Sequence, residues 1–275
     1  MCASDDCYGY TDFEGILPDK IPVCAVLGDS HAAFFAQGCV SKGDVKATYG
    51  TGSSIMMNTS DNVFPNRALS SSIGFKIDGM VNYVLEGNIS SAGAAISWLM
   101  NDVHLISSPK ETEKLCLKAA KNDGVYFIPA FSGLSAPYWN EKARGMLCGI
   151  SRKTGRNEIV RAVTDSIAYS VNDVITAMCE DMGLEINNLK TDGGAAENQY
   201  LMQLQSNISN CIVRASSVTE MSALGVAFVA GTKIGMYPKD IYKSIDCIIF
   251  SPEIEEKERK NLTDGWKKAI KMILR

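Results

Sequence analysis

One long segment of the chain carries apolar side chains at helical spacing. Between residues 159 and 178 they recur over about six turns, which is typical of a helix with one buried face. The apolar positions are Ile159, Val160, Val163, Ile167, Val171, Val174, Ile175 and Met178. Gly183 follows, and glycine readily adopts the left-handed conformation that ends many helices. We therefore predict a helix that ends at Gly183.

Shorter apolar runs bounded by turn residues predict strands. They span residues 22–27, 45–49, 54–58, 73–77, 80–85, 125–128, 189–192 and 211–214. The runs at 73–77 and 80–85 bracket Asp78-Gly79, a dipeptide that favours the type I′ turn, so these two strands are predicted to form a hairpin.

Other segments predict shorter helices. They are a helix of about ten residues between Gly28 and Gly38, three helices near 90–100, 197–209 and 220–235, and a charged amphipathic helix at 253–274. Strands and hairpins early in the chain, followed by alternating helices and strands, indicate the α/β class with a mixed sheet flanked by helices. With no internal repeat, we predict a single domain over residues 1–275, in which the polar stretch 1–21 is a connector.

Composition and charge exclude several functions. Hydrophobic residues make up 46% of the 275 residues, enough for a sizeable core, and the net charge is −4. This balance argues against a broad nucleic-acid-binding face. No run approaches the roughly 18 apolar residues that a membrane span needs. The first residues have neither the basic nor the apolar region of a signal peptide. We expect neither nucleic acid nor membrane as a partner.

The nine cysteines are scattered, with no CxxC pair, and the chain has only two histidines. A zinc site is therefore not expected, and no residue is assigned as a metal ligand. Most of the cysteines lie in apolar stretches, where a reduced thiol packs as a small hydrophobe. Reduced thiols fit a cytoplasmic protein.

Three glycine-rich segments lie where elements meet. Gly50-Thr51-Gly52 separates two predicted strands, Gly93 lies in a small-residue helix, and Gly193-Gly194 joins a strand to a helix. Glycines at such junctions let a phosphate or a base approach the backbone. Each segment alone also fits an ordinary turn. Neither the GxxxxGK[ST] loop nor the GxGxxG fingerprint is present.

Asp29 follows the first predicted strand and opens the first predicted helix. An aspartate there is most often an N-cap, but a carboxylate at a strand end could also accept a proton from a substrate hydroxyl. The neighbouring His31 is better read as a packed or surface histidine than as a ligand.

Ordered motifs connect these residues to a known family. They are Gly28-Asp29-Ser30-His31-Ala32-Ala33, Thr48-Tyr49-Gly50-Thr51-Gly52, Leu85-Glu86-Gly87 with Ala92-Gly93-Ala94, the segment from Gly133 through Trp139 and Arg144 to Tyr169, Asp192-Gly193-Gly194-Ala195 with Asn198, and Ala223-Leu224-Gly225-Val226-Ala227. In this order, from about residue 9 to residue 235, the chain resembles the second half of the FGGY carbohydrate kinases, and within them the glycerol kinases.

The resemblance implies a fold and a reaction. These kinases have two actin-like, ribonuclease-H-type domains with a cleft between them, and this chain corresponds to the second. Asp29 matches the general base that takes the proton of the substrate hydroxyl as it attacks the γ-phosphate of ATP. Such transfer depends mainly on positioning and on charge stabilisation, with Mg²⁺ on the nucleotide. Thr51 and Gly52 match the turn near the phosphates.

The adenosine and substrate positions follow from the same resemblance. Gly93, Gly194 and Asn198 match positions around the adenosine. Ser30 stands where glycerol kinases have a glutamine that contacts the substrate, and Ser54 stands at their substrate-side aromatic. Both differences remove bulk and change hydrogen bonding, so we expect a substrate other than glycerol, such as a longer polyol or a ketose.

The resemblance also implies a missing partner. The first domain of the family supplies a phosphate loop, a metal-binding aspartate and most sugar contacts, and no such segment occurs in this chain. We expect the isolated chain to be poorly active, because cleft closure needs both walls. Assembly into a homo-oligomer stays open. The alternatives are a non-catalytic nucleotide-binding remnant or scaffold, and another actin-like ATPase such as a chaperone or filament protein.

Overall fold

The computed structural model describes residues 2–65, 68–119 and 124–274. Its strands are β1 (Gly9–Thr11), β2 (Ile21–Val23), β3 (Val45–Tyr49), β4 (Ser53–Ser60), β5 (Ser70–Ile77), β6 (Met80–Ile89), β7 (Tyr126–Ile128), β8 (Met146–Cys148), β9 (Asn188–Asp192), β10 (Ile212–Ser216) and β11 (Cys247–Phe250). Its α-helices are α1 (Asp29–Ala36), α2 (Gly93–Asn101), α3 (Glu111–Lys118), α4 (Arg156–Met182), α5 (Gln199–Ser209), α6 (Met221–Lys233) and α7 (Glu256–Ile273).

A seven-stranded sheet in the order β11-β10-β9-β3-β4-β6-β5 forms the centre of the fold. Strands β3, β9 and β10 are parallel, and the other neighbouring pairs are antiparallel. Strands β1 and β2 form one small antiparallel pair and β7 and β8 another. This mixed sheet with its flanking helices confirms the predicted α/β class.

Apolar side chains cover both faces of the sheet, because successive residues of a strand point to opposite sides. Ile55 and Met57 of β4 belong to the larger core, which includes the buried face of α4. Met56, between them, belongs to a second core with residues of α1 and α6. The sheet therefore separates α1 and α6 from α4.

The predicted long helix is confirmed as α4, whose apolar positions pack into the larger core. Gly183 caps it with φ 62° and ψ 37°, in the left-handed conformation expected of a C-terminal glycine. The predicted hairpin is also confirmed, and Asp78 and Gly79 have φ angles of 50° and 77°, as the type I′ turn requires.

The predicted strand over 22–27 is largely wrong. Strand β2 covers Ile21–Val23 only, because its partner β1 is three residues long and the ladder ends where Gly9 pairs with Val23. Helix α3 and strands β1, β8 and β11 were not predicted. The helix is short and half of its residues are charged, and the strands have three or four residues each, which is too little pattern to identify an element.

The predicted connector, residues 1–21, contacts the rest of the chain where it is described. The buried Asp5 accepts a hydrogen bond from the backbone N–H of Asp78 at 3.2 Å and pairs with Lys233 Nζ at 3.1 Å. These contacts join the start of the chain to the β5–β6 turn and to α6. Across the described ranges, no helix has the length and apolar character needed to cross a membrane.

Candidate functional site

Two glycine turns follow adjacent parallel strands, β3 and β9, at their carboxyl ends. In α/β sheets this edge is where ligands most often bind. Gly193 follows β9 with φ 90°, and a Cβ atom there would lie 2.8 Å from the backbone carbon of Tyr49, the last residue of β3. Only glycine fits this junction, because a side chain would collide with backbone and the φ angle is left-handed.

The structure brings three of the predicted nucleotide residues together. The backbone N–H of Gly93 donates to Gly50 O at 3.0 Å, and that of Ala94 donates to Thr51 O at 2.9 Å. A Cβ atom at Gly93 would lie 2.7 Å from Gly50 O, and one at Gly52 would collide with the carbonyl of Ile89. The start of α2 therefore closes over the Gly50-Thr51-Gly52 turn. Close backbone packing alone already requires glycine at Gly52 and Gly93.

Gly194 differs from these glycines. It is exposed, and a Cβ atom there would meet no atom within 4 Å. Neither packing nor a left-handed φ angle explains a glycine here. Open space beside the backbone is what a flat ligand such as a nucleobase needs.

Asn198 lies one short 3-10 turn after Gly194 and is the N-cap of α5. Its Oδ1 accepts from Leu201 N at 3.0 Å, and its Nδ2 donates to Thr112 Oγ1 of α3 at 2.9 Å. These contacts hold the amide in place. An amide oxygen has two lone pairs, so Oδ1 retains one acceptor position for a ligand.

Asp29 is the first residue of α1, and Gly28 rather than Asp29 occupies the N-cap position. The Asp29 carboxylate accepts from Ser30 N at 2.6 Å and is exposed to solvent. Among the described side chains no cation lies within ion-pair distance of it. Such a carboxylate is free to accept a proton from a bound hydroxyl.

Ser30 and Ser54 are both half-buried. Ser54 lies on β4, opposite Thr48 of β3 and Asn88 of β6. Its hydroxyl is buried, with no hydrogen-bond partner among the described residues, and so is Nε2 of His31. Burial lowers the pKa of His31, and so does the charge of Lys46, while the carboxylates of Glu86 and Asp29 raise it. Because the net effect lowers the pKa, the neutral form of the imidazole is favoured.

A group of side chains that was not predicted lies beneath α1: Lys46, Thr48, Asp192 and Gln37, of which Thr48 and Asp192 belong to the family motifs. Lys46 is 0% exposed, and its Nζ donates to Thr48 Oγ1 at 2.8 Å. Thr48 pairs with Asp192 across the β3–β9 ladder, and Gln37 Nε2 donates to Asp192 Oδ2. A lysine inside the apolar strand β3 was the available signal, since lysine is almost never fully buried without partners.

Opposing effects act on the charges of this group. Burial raises the pKa of Asp192, while hydrogen bonding from Thr48 and Gln37 and the charge of Lys46 lower it. Burial lowers the pKa of Lys46, and the carboxylates of Asp192, Glu86 and Asp29 raise it. One buried ammonium therefore lies within electrostatic range of both Asp29 and Asp192.

The proposed site residues lie on separate elements: Asp29 and Ser30 on α1, Ser54 on β4, Thr51 and Gly52 in the β3–β4 turn, Gly93 on α2, and Gly194 and Asn198 after β9. No cluster of three His, Cys, Asp or Glu side chains suited to a metal ion occurs in residues 2–65, 68–119 and 124–274.

Comparison with solved structures defines the class of protein. The fold superposes on the glycerol kinase of Plasmodium falciparum, solved with ADP, with a TM-score of 0.91 and 33% identity over 99% of this chain and 56% of that one. A gluconate kinase from Lactobacillus acidophilus, at 17% identity, shares the fold with a TM-score of 0.84. The expected actin-like fold of sugar kinases is confirmed.

Sequence comparison defines the family. The profile of the C-terminal domain of the FGGY family of carbohydrate kinases matches residues 45–234. The glycerol kinase of Natranaerobius thermophilus is 42% identical over 274 residues, and that of Staphylococcus epidermidis is 40% identical over 272. The matches cover 98% of this chain but 55% and 54% of those proteins, so the chain spans about half their length. The chain belongs to the FGGY family of carbohydrate kinases.

Proposed function

We propose that this chain is the nucleotide-binding half of a kinase that transfers the γ-phosphoryl group of ATP to a hydroxyl of a small polyol or sugar. The carrying observation is the pair of glycine turns at the ends of β3 and β9, with Asp29 exposed on the neighbouring helix. Family membership and the ADP in the Plasmodium falciparum relative support the nucleotide.

In this proposal, Thr51 and Gly52 approach the phosphates from the β3–β4 turn. Gly93, Gly194 and Asn198 surround the adenosine. Support is strongest at Gly194, where the space beside the backbone is open, and weaker at Gly93, whose packing against Gly50 already requires glycine. Mg²⁺ bound with the nucleotide would neutralise phosphate charge as the transfer proceeds.

Asp29 is the proposed general base. Its carboxylate would take the proton of the attacking hydroxyl, and no ion pair within the described ranges competes for it. The position at the start of α1 also places it beside the half-buried Ser30, the proposed substrate contact. A base must reach the hydroxyl within about 3 Å, so small movements of α1 would affect the rate strongly.

The substrate is proposed to be larger than glycerol or differently shaped. The residues that support this are Ser30 and Ser54, which are smaller than the glutamine and the aromatic residue expected in glycerol kinases. The unpartnered Ser54 hydroxyl and His31 Nε2 are buried polar atoms available to substrate hydroxyls.

The other wall of the cleft is proposed to be a first domain like the half of the relatives that this chain does not match. The cysteines of the described residues are unpaired, which supports a reducing compartment such as the cytoplasm.

The test uses a completed kinase, made by joining this chain to the first half of the Natranaerobius thermophilus glycerol kinase. A panel of glycerol, four- and five-carbon polyols and ketoses is assayed with ATP. We expect phosphorylation. Because the borrowed half is expected to supply most sugar contacts, the joined kinase is compared with the intact Natranaerobius thermophilus glycerol kinase, and the ratio of kcat/KM for a longer substrate to kcat/KM for glycerol should be higher in the joined kinase. An equal or lower ratio would refute the substrate proposal alone. ADP binding without turnover of any substrate would favour the non-catalytic alternative.

A further inference from the structure

The buried group under α1, which consists of Lys46, Thr48, Asp192 and Gln37, differs from an ordinary apolar core because it contains charged side chains. It places a fully buried ammonium, Lys46, and a nearly buried carboxylate, Asp192 at 3% exposure, on one sheet face. Among the described residues, no carboxylate lies within 4 Å of Lys46 Nζ, so the two charges do not form a direct ion pair. Buried charges rarely add net stability, and apolar replacements are often as stable. Stability alone is therefore a poor explanation for this group.

Thr48 lies between the two charges. Its hydroxyl accepts from Lys46 Nζ at 2.8 Å, and its Cα is the ladder partner of Asp192. A hydroxyl has a single proton, and an ammonium has no acceptor. Since Thr48 already accepts from Lys46, its proton is free to point to Asp192, and hydrogen bonding by Thr48 lowers the pKa of that carboxyl. We call Lys46, Thr48, Asp192 and Gln37 together the bridge. In it Thr48 accepts from Lys46, and its proton is available to its ladder partner Asp192.

Asp192 extends the bridge to α1 through Gln37, the C-cap of that helix. Lys190, on the same face of β9, donates to Gly38 O at 2.8 Å, one residue further along. The C-terminal end of α1 is therefore held by two side chains of β9. The N-terminal residue of the same helix is Asp29, and the residue after Asp192 is Gly193.

We infer that Thr48 is a positioning residue, which sets the place of Asp29 relative to the two glycine turns through Asp192 and Gln37. This inference rests on the proposed function. The bridge joins the three elements that the reaction needs in register: β3 with its phosphate turn, β9 with its adenosine turn, and the helix of the base. A displacement of about 1 Å in such an arrangement can cost on the order of 100-fold in rate.

The test compares Thr48→Val, which keeps the shape but removes the hydroxyl, with Thr48→Ser, which keeps the hydroxyl. Thr164→Val is the matched control, because Thr164 is a buried threonine of α4, on the other side of the sheet from α1, whose hydroxyl donates to Val160 O at 2.9 Å. We expect Thr48→Val to lower kcat of the completed kinase by about 10- to 100-fold, with KM for ATP changed less than about threefold. Thr48→Ser should restore kcat to within about threefold, and Thr164→Val should lower the melting temperature without lowering kcat.

A second readout needs only the 275-residue chain. Hydrogen exchange of the α1 amides should be about tenfold faster in Thr48→Val than in the parent, and unchanged in Thr48→Ser and Thr164→Val. Unchanged α1 exchange in Thr48→Val, or a Thr48→Ser variant as defective as Thr48→Val, would overturn the inference. The inference would also be overturned if Thr48→Val kept the kcat of the parent while Asp29→Asn was inactive. Full activity of Asp29→Asn would instead refute the proposed base, so the two failures can be distinguished.

Discussion

Gly193 packs against the end of β3 so closely that a Cβ atom at Gly193 would lie 2.8 Å from the backbone carbon of Tyr49. The turn after β9 is thereby fixed against the strand that carries the other glycine turn. Because the contact is between backbones, neither partner can yield by changing a rotamer. The proposed phosphate and adenosine segments thus form one rigid unit.

This contact predicts an unusually costly Gly193→Ala substitution. It combines a backbone collision with a φ angle of 90°, so we expect a loss of more than about 2 kcal/mol in the free energy of unfolding, measured with urea. The control is Gly183→Ala, at a left-handed position with no atom near the added Cβ, which should cost about 1 kcal/mol. Equal losses in the two variants would show that the Tyr49 contact adds nothing.

Gly194→Ala should separate binding from stability. The added methyl group enters open space, so the free energy of unfolding should change by less than about 0.5 kcal/mol. The same methyl group would occupy space proposed for the adenine ring, and we expect affinity for a fluorescent ADP analogue to fall at least tenfold. Unchanged affinity would contradict the placement of the adenosine beside Gly194.

The buried Asp173 should make stability depend on pH. Its Oδ2 accepts from Tyr138 Oη at 2.8 Å and from Trp266 Nε1 at 2.7 Å, which joins α4 to the Gly133–Trp139 segment and to α7. Burial raises the pKa of Asp173 to about 6, although both hydrogen bonds lower it. The folded protein therefore binds a proton near pH 5 that the unfolded chain, with its carboxyl pKa near 4, has released.

Proton binding determines how the free energy of unfolding changes with pH. Stability falls with rising pH wherever the folded state binds more protons, so Asp173 should destabilise the fold as pH rises from about 4 to about 6. Asp173→Asn keeps an acceptor oxygen, but its amide does not titrate. Relative to this variant, the parent should lose on the order of 2 kcal/mol across that window, measured by urea unfolding at each pH. Parallel pH profiles for the two proteins would contradict the raised pKa.

Local pattern was sufficient for much of this fold. The strand at 45–49 is β3 with the same bounds, the long apolar helix is α4, and the Asp78-Gly79 turn has the predicted geometry. Each depends on neighbours in sequence: a spacing, a C-terminal glycine, a turn dipeptide. Strand β11 was missed because four residues are too few to show the alternation of apolar and polar side chains that marks a strand. Its pairing with β10 is nevertheless clear in the structure.

The site was less accessible to the sequence. Motif order brought Asp29 and the glycine turns into one hypothesis, but pattern could not show that Gly52 and Gly93 are required by backbone contacts while Gly194 is not. Pattern also could not show that Lys46, Thr48 and Asp192 form one group, although Thr48 and Asp192 lie in the family motifs and Lys46 lies inside an apolar strand. It forms only when β9 pairs with β3, more than 140 residues away in sequence.

The base assignment is tested most directly by Asp29→Asn in the completed kinase. The amide is nearly isosteric with the carboxylate but cannot take the proton of the attacking hydroxyl, so kcat should fall by about 100- to 10,000-fold. Affinity of the 275-residue chain for ADP should stay within about twofold, because Asp29 is not among the proposed nucleotide contacts. Retention of full kcat by Asp29→Asn would contradict the account at its centre.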